Sequence, residues 1–186
     1  MSRAFVQETD DDFDDVPAIK DPLPPGVRNY MTPQGAELVQ RELQTLQSRE
    51  YPVLLKKLSI AIKHREDLGK EEHANMRRRL REMERRIEYL DVMLNKLEVV
   101  DPGMQEPDQV RFGARVCVLE NNREEKWYQI VGIDESDPSD GRISWISPLA
   151  RALLSKKAGE TIRLDLPGGE KTYRIIKIEY PSAKNN

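Results

Sequence analysis

Four carboxylates stand close together before the middle of the chain: Glu66, Asp67, Glu71 and Glu72, crowded by Arg65 and Lys70 and interrupted by Gly69. Hard oxygen ligands of this kind suit Mg²⁺, an ion that takes one or two carboxylates from a protein and leaves its other positions to water and phosphate. They do not make a self-sufficient active site. His64 and His73 have no companions at metal-ligand spacing, no glycine-rich phosphate loop occurs, and no nucleophile stands in a triad motif. Two readings follow: a solvated turn, or a set of acids carried into the active site of another molecule.

The flanking residues show what would carry them. Met76, Leu80, Met83, Ile87, Leu90, Leu94 and Leu97 recur at alternating steps of four and three, a heptad seam along one face of a long helix. Upstream, Leu43, Leu46, Val53, Leu54, Leu58, Ala61 and Ile62 recur at helical spacings. A short charged connection, His64 to Glu72, joins the two runs, so they are expected to form an antiparallel hairpin with the carboxylates at its tip. At 1.5 Å per residue, arms of about 30 residues make a rod of about 45 Å. Thr32 before Pro33 predicts the start of the first arm, as an N-cap followed by proline at the first helical position. Pro52 predicts a bend near Glu50 and Tyr51. Asp101-Pro102-Gly103 stops the second arm.

Charge is unevenly distributed. The net value is −3, with 38% hydrophobic and 34% charged residues, a balance that fits a thin coiled coil and a modest, divided core. Six arginines, at 77, 78, 79, 81, 85 and 86, face only Glu82 and Glu84 between them. A basic band therefore lies just behind the tip. Residues 1–31 carry Glu8, Asp10, Asp11, Asp12, Asp14, Asp15 and Asp21, then Asp21-Pro22-Leu23-Pro24-Pro25-Gly26. They are expected to be a disordered acidic tail, either a solubilising segment or a lure for a basic partner. A single cysteine, Cys117, permits no internal disulfide and fits a reducing compartment. No run of 18 apolar residues and no signal-peptide core is present, so the expected setting is soluble and cytoplasmic, without a membrane partner.

Beyond a linker at 101–109 the pattern alternates. Strands are expected at Arg111 to Glu120, Lys126 to Ile133, Arg142 to Ile146, Thr161 to Leu166 and Lys171 to Tyr180, with turns at Asn121-Asn122 and Pro167-Gly168-Gly169. Asp134 to Gly141 is expected to be an exposed loop, and Ser147-Pro148 to cap a short helix through Ser155. Cys117, Trp127 and Trp145 fall on strands and are read as packing residues. The fold class is α+β: a coiled-coil hairpin at 32–100 and a small antiparallel sheet with one helix at 110–181.

Several of these segments together resemble the bacterial GreA/GreB transcript cleavage factors. Those that carry the resemblance are Thr32-Pro-Gln-Gly35, Arg41-Glu-Leu43, Arg79-Leu-Arg-Glu82 through Arg85-Arg86 to Tyr89-Leu90, and Leu97-Glu-Val-Val-Asp101. In the second half they are Ser147-Pro-Leu-Ala-Arg-Ala-Leu-Leu154, Gly159, Pro167-Gly-Gly-Glu170 and Ile178-Glu-Tyr180. The motifs fall in the family's order over residues 30 to 181, and the arginine-rich arm is more similar to GreB. The resemblance implies an FKBP-like C-terminal domain without isomerase activity. It also implies that this domain docks on RNA polymerase through Ser147, Pro148, Leu149, Ala150 and Arg151, with the hairpin in the secondary channel. Arg77, Arg78, Arg79 and Arg81 would face extruded RNA. Tip acids would support the Mg²⁺ of the polymerase active site while it cuts the 3′ end of backtracked RNA. The factor itself would be no free-standing nuclease, with no cofactor of its own and no small-molecule substrate.

At the tip the sequence departs from the family pattern. Where the family carries an Asp-x-x-Glu pair, this chain has Glu66 and Gly69; Glu66 and Asp67 become the candidate acids, with Glu71 and Glu72 as possible support. Ile146 stands where the family has Asp or Asn before Ser-Pro. The leading expectation is a factor that stimulates cleavage and rescues arrested complexes. Its rival is a binding-only regulator that occupies the channel and competes with cleavage factors; a coiled-coil adaptor or chaperone arm is a third reading.

Overall fold

The computed structural model describes residues 22–63 and 70–181. A three-residue strand, β1 (Asn29–Met31), precedes the first arm, which comprises α1 (Pro33–Thr45), a π-helical turn at Leu46–Glu50 and α2 (Tyr51–Lys63). The second arm is one helix, α3 (Lys70–Asn95), followed by β2 (Leu97–Val99). Its 26 residues give a length of about 39 Å. The Thr32 side chain accepts from the Gly35 amide with Pro33 behind it, so the expected N-cap is present.

Three expectations for the hairpin need correction. The ordered chain begins before residue 32: β1 pairs in parallel with β2, in register Asn29 with Leu97 and Met31 with Val99. Asn29 and Met31 are fully buried. Asn29 donates through Nδ2 to the Met93 carbonyl at 3.1 Å and through its backbone to the Lys96 carbonyl at 2.8 Å, both at the C-terminal end of α3, where helix carbonyls call for such donors. Leu97 consequently lies on a strand and not on the last turn of the seam. At Pro52, where a bend was expected near Glu50 and Tyr51, the arm continues through a local irregularity, the π-helical turn. The proline sits directly behind the wide turn, where the Tyr51 amide bonds the Leu46 carbonyl five residues back, and the looser winding relieves the crowding a proline ring imposes on the preceding turn. Val53 and Ile62 are half exposed, so the working seam of the first arm is Leu43, Leu46, Leu54, Leu58 and Ala61.

The C-terminal domain is one five-stranded sheet in the order β5-β4-β3-β7-β6. Its strands are β3 (Arg115–Glu120), β4 (Glu124–Val131), β5 (Arg142–Ser144), β6 (Thr161–Leu166) and β7 (Gly169–Glu179). Asn121 and Asn122 take φ of 51° and 54°, the paired left-handed geometry of a tight β3–β4 turn, which asparagine tolerates. The sheet is mixed and not wholly antiparallel, because β5 runs parallel to β4; the intervening segment is long enough to cross back instead of turning over. Helix α4 (Pro148–Leu153), capped by Ser147, packs Ala150 and Leu153 into a core with Val116, Val118, Ile130, Tyr173 and Ile175. Cys117 is buried on β3. Trp127 lies on β4 beneath the Arg115 guanidinium, 4.7 Å from its ring centre. Trp145 lies just past β5.

Candidate functional site

Three surfaces were expected to matter: the tip, the arginine band and the docking segment. Glu66 and Asp67, with His64 and Gly69, lie outside the described residues. Glu71 and Glu72 occupy the first turn of α3 and are exposed, a placement favoured by the positive end of the helix dipole.

Arg77, Arg78, Arg79, Arg81 and Arg85 are all exposed on α3. Arg78 meets Asn75 at 3.1 Å and Glu82 at 3.9 Å, both at the surface, a pairing worth a few tenths of a kcal/mol at about this exposure. Arg85 donates to the Arg81 carbonyl at 3.3 Å. Among the described residues no carboxylate lies in ion-pair range of Arg77, Arg79 or Arg81. Arg86 belongs elsewhere. Its guanidinium grips the Glu42 carboxylate with bonds of 2.8 and 2.9 Å, reaches Asp134 at 3.5 Å and stands 5.2 Å over the Tyr89 ring. That guanidinium holds the Glu42 carboxyl below the usual glutamate range.

The docking segment narrows on inspection. Pro148 and Arg151 are exposed, whereas Ala150 is fully buried and Leu149 packs against the sheet core. The Ala150 methyl is spent on the α4–sheet core, Ser147 and Leu149 are partly exposed, and Pro148 and Arg151 are the exposed residues of the segment. Ser147 serves as the cap, accepting from the Ala150 amide at 3.2 Å.

Rod and sheet are joined by a segment, Asp134 to Gly141, whose sequence predicts only an exposed loop. Instead its first residues reach the hairpin. The Glu135 carboxylate accepts from the Thr32 amide at 3.0 Å, from the Thr32 hydroxyl, and from the Gly132 amide at 3.0 Å. Thr32 thus caps α1 and holds the C-terminal domain with the same hydroxyl. Gly35 makes room: a Cβ there would lie 2.1 Å from the Glu135 carboxyl carbon. Next to it Asp134, its side chain 6% exposed, pairs with Arg86 and accepts from the Tyr89 hydroxyl at 3.3 Å. Burial pushes the Asp134 carboxyl up, opposed by the Arg86 charge. On the other side of the join Tyr30 meets Trp145 edge-on at 5.5 Å and Phe112 at 6.1 Å. A glycine three residues after an N-cap, where a good helix former would be expected, was the one sequence signal of this close approach.

A helical rod is thus clamped at its base to a small mixed sheet, with Glu71 and Glu72 at the start of α3 and the exposed arginines following them. The comparisons name the class. The chain belongs to the GreA/GreB family of transcription elongation factors: residues 29–99 match the family model described as "Transcription elongation factor, N-terminal", and residues 104–180 match "Transcription elongation factor, GreA/GreB, C-term". It is 38% identical over 154 residues to the transcription elongation factor GreB of Neisseria meningitidis serogroup B, covering 82% of this chain and 94% of that protein. It is 38% identical over 151 residues to GreA of Rhodospirillum rubrum, covering 81% and 96%, so relatives of both names match equally well. Among solved structures, GreA factor homolog 1 of Thermus thermophilus aligns with a TM-score of 0.40 at 22% identity, over 82% of this chain and 99% of that one. No described helix is long and apolar enough to cross a membrane.

Proposed function

We propose that this elongation factor binds RNA polymerase through the C-terminal domain and extends its hairpin along the secondary channel. There it stimulates cleavage of backtracked RNA by the polymerase's own active site and so rescues arrested complexes. The observation that carries the proposal is the clamp at the hairpin base. Glu135 on Thr32 and Asp134 on Arg86 and Tyr89 fix the direction of the rod relative to the surface that carries Pro148 and Arg151. A rod used to reach a distant centre needs that fixed angle, because positioning errors at its root grow along its length. Arg77, Arg78, Arg79 and Arg81 then contact the phosphates of extruded RNA, and Glu66 and Asp67 are the acids offered to the Mg²⁺ of the polymerase centre. That ion supplies Lewis-acid charge neutralisation and an activated water.

One sequence observation favours a second reading. Glycine at 69, where the family pattern has glutamate, leaves the tip without its usual pair, and a factor that occupies the channel without those acids would compete with cleavage factors. Stalled, backtracked elongation complexes separate the two. The proposal expects Mg²⁺-dependent shortening of the RNA that collapses in Glu66→Ala or Asp67→Ala while polymerase binding persists, and that rises in Gly69→Glu. No cleavage by the native chain, combined with inhibition of an active Gre factor, would establish the competitor reading instead.

A further inference from the structure

Five arginines, at 77, 78, 79, 81 and 85, are exposed on one stretch of helix, and only Arg78 among them has a carboxylate within ion-pair range among the described residues. Arg77, Arg79 and Arg81 find no carboxylate among the described residues, and Glu84, one of only two acids within the stretch, is already engaged by the Tyr51 hydroxyl at 2.6 Å. The counter-charge lies at the other end of the sequence. Residues 1–21 carry seven acids against Arg3 and Lys20, a net −5. The whole chain is −3, so subtracting −5 leaves residues 22–186 at +2. Five of the acids fall in the run Asp10-Asp11-Asp12-Phe13-Asp14-Asp15, and an aromatic ring among carboxylates is the side chain that stacks on a guanidinium plane.

The tether has the right length. Leu23 is buried, and Asn29 bonds the Met93 and Lys96 carbonyls, so residue 29, seven residues after Pro22, lies beside the C-terminal end of α3. From Met93, Arg86 is about 10 Å along the helix axis and Arg77 about 24 Å. Counting from Pro22, Asp15 can reach at most about 24 Å and Asp10 about 40 Å. The aspartates therefore span the arginine band without having to be fully stretched. A covalent tether of this length acts like a millimolar partner, enough to populate contacts that are individually weak.

We propose that the acidic segment 1–21 docks on Arg77–Arg85 of the same chain, covering the band when no other polyanion is present. Such contacts are screened by salt and give way to a phosphodiester chain, whose charges are denser. The role that follows, guarding the band against stray nucleic acid until extruded RNA displaces the segment, rests on the RNA-facing reading above. The docking itself does not.

The test uses the full chain with Thr9→Cys carrying a nitroxide; Cys117, 3% exposed, stays unlabelled. Amide signals of residues 76–86 are expected to lose at least about half their intensity at low salt, and to recover at high salt or when Asp10, Asp11, Asp12, Asp14 and Asp15 are all changed to Asn. No loss, loss spread evenly over the molecule, or loss that persists in the asparagine variant would overturn the docking. In parallel, a single-stranded RNA oligonucleotide should bind the asparagine variant about threefold tighter than the native chain, the factor expected if the segment covers the band two-thirds of the time. That gain should vanish when Arg77, Arg78, Arg79 and Arg81 are changed to Ala. Docking without a gain in RNA affinity would uphold the contact and overturn the guarding role.

Discussion

The base and the far half of the hairpin are built to different standards. At the base, Met31, Leu90 and Met93 are fully buried, Ala36 and Val39 nearly so, and three separate elements close around them: α1, α3 and the β1–β2 pair. Toward the tip only two helices remain, sealed by Leu58, Ala61 and Leu80, while Val53, Leu55, Ile60 and Ile62 stay substantially exposed on the outer faces of α2. A two-helix seam cannot bury a side chain on all sides, so stability falls with distance from the sheet. The lesson is that rigidity has been concentrated where it sets direction, and the reaching end is held by little more than its seam.

The largest expected effect is at the base. Leu90→Ala should cost about 3–5 kcal/mol, because the cavity is enclosed and cannot collapse. Leu58→Ala should cost nearer to about 2 kcal/mol, since the open seam lets solvent and neighbours fill the space. Urea denaturation followed by helix signal gives both values, and equal losses would erase the contrast between the two halves. Hydrogen exchange adds a local test: amides of 54–63 should open well below the global unfolding free energy.

Next comes the join. Gly35→Ala forces a methyl against the Glu135 carboxylate, and Glu135→Ala strips acceptors from the Thr32 and Gly132 amides. Each should cost about 1–3 kcal/mol and raise exchange at those two amides, with the α2–α3 seam unaffected. Unchanged protection at Thr32 would mean that the clamp contributes nothing to holding rod to sheet.

The smallest effect lies within the sheet domain, which serves as the reference body for both. Glu120, buried on β3, is held by Lys126 at 2.7 Å and Lys171 at 2.6 Å, and those ammonium groups keep its carboxyl below the ordinary glutamate value of 4.5. A folded pKa lower than the unfolded one means a contribution fully present above about pH 4.5 and lost as pH falls through the folded value. Glu120→Gln should therefore flatten the acid limb of domain stability while leaving the hairpin's pH response alone. A native-like acid limb in the variant would show that other carboxylates govern it.

Local signals were the legible part of this molecule. Thr32 and Ser147 announced their helices because a cap is decided within four residues, and Asn121-Asn122 announced its turn because few residues adopt that backbone. The seam residues of α3 from Met76 to Leu94 were readable from spacing alone. What escaped depends on partners far away in sequence. Residues 29–31 hold their strand only because β2 arrives beside them from residue 97, and a three-residue stretch after a proline run carries no pattern of its own. Asp134 and Glu135 looked like loop acids because nothing in their neighbourhood reveals Arg86 or Thr32. Ala150 was offered as a docking residue on its place in a motif, and its burial became visible only once α4 was laid on the sheet.

The wide turn at Leu46–Glu50 has a consequence of phase. Leu46 packs on the cluster that holds Leu90, and Leu54 is a partly buried apolar residue of α2; the two are eight positions apart where a regular seam would use seven. At about 100° per residue, eight steps of uninterrupted α-helix would leave Leu54, and with it Leu58 and Ala61, about 80° out of line. The π turn swallows the surplus residue and returns the helix to its old bearing. It works as a vernier: one residue added or removed between Gln47 and Glu50 would rotate everything carried beyond it about the rod, without lengthening the rod by more than a fraction of a turn.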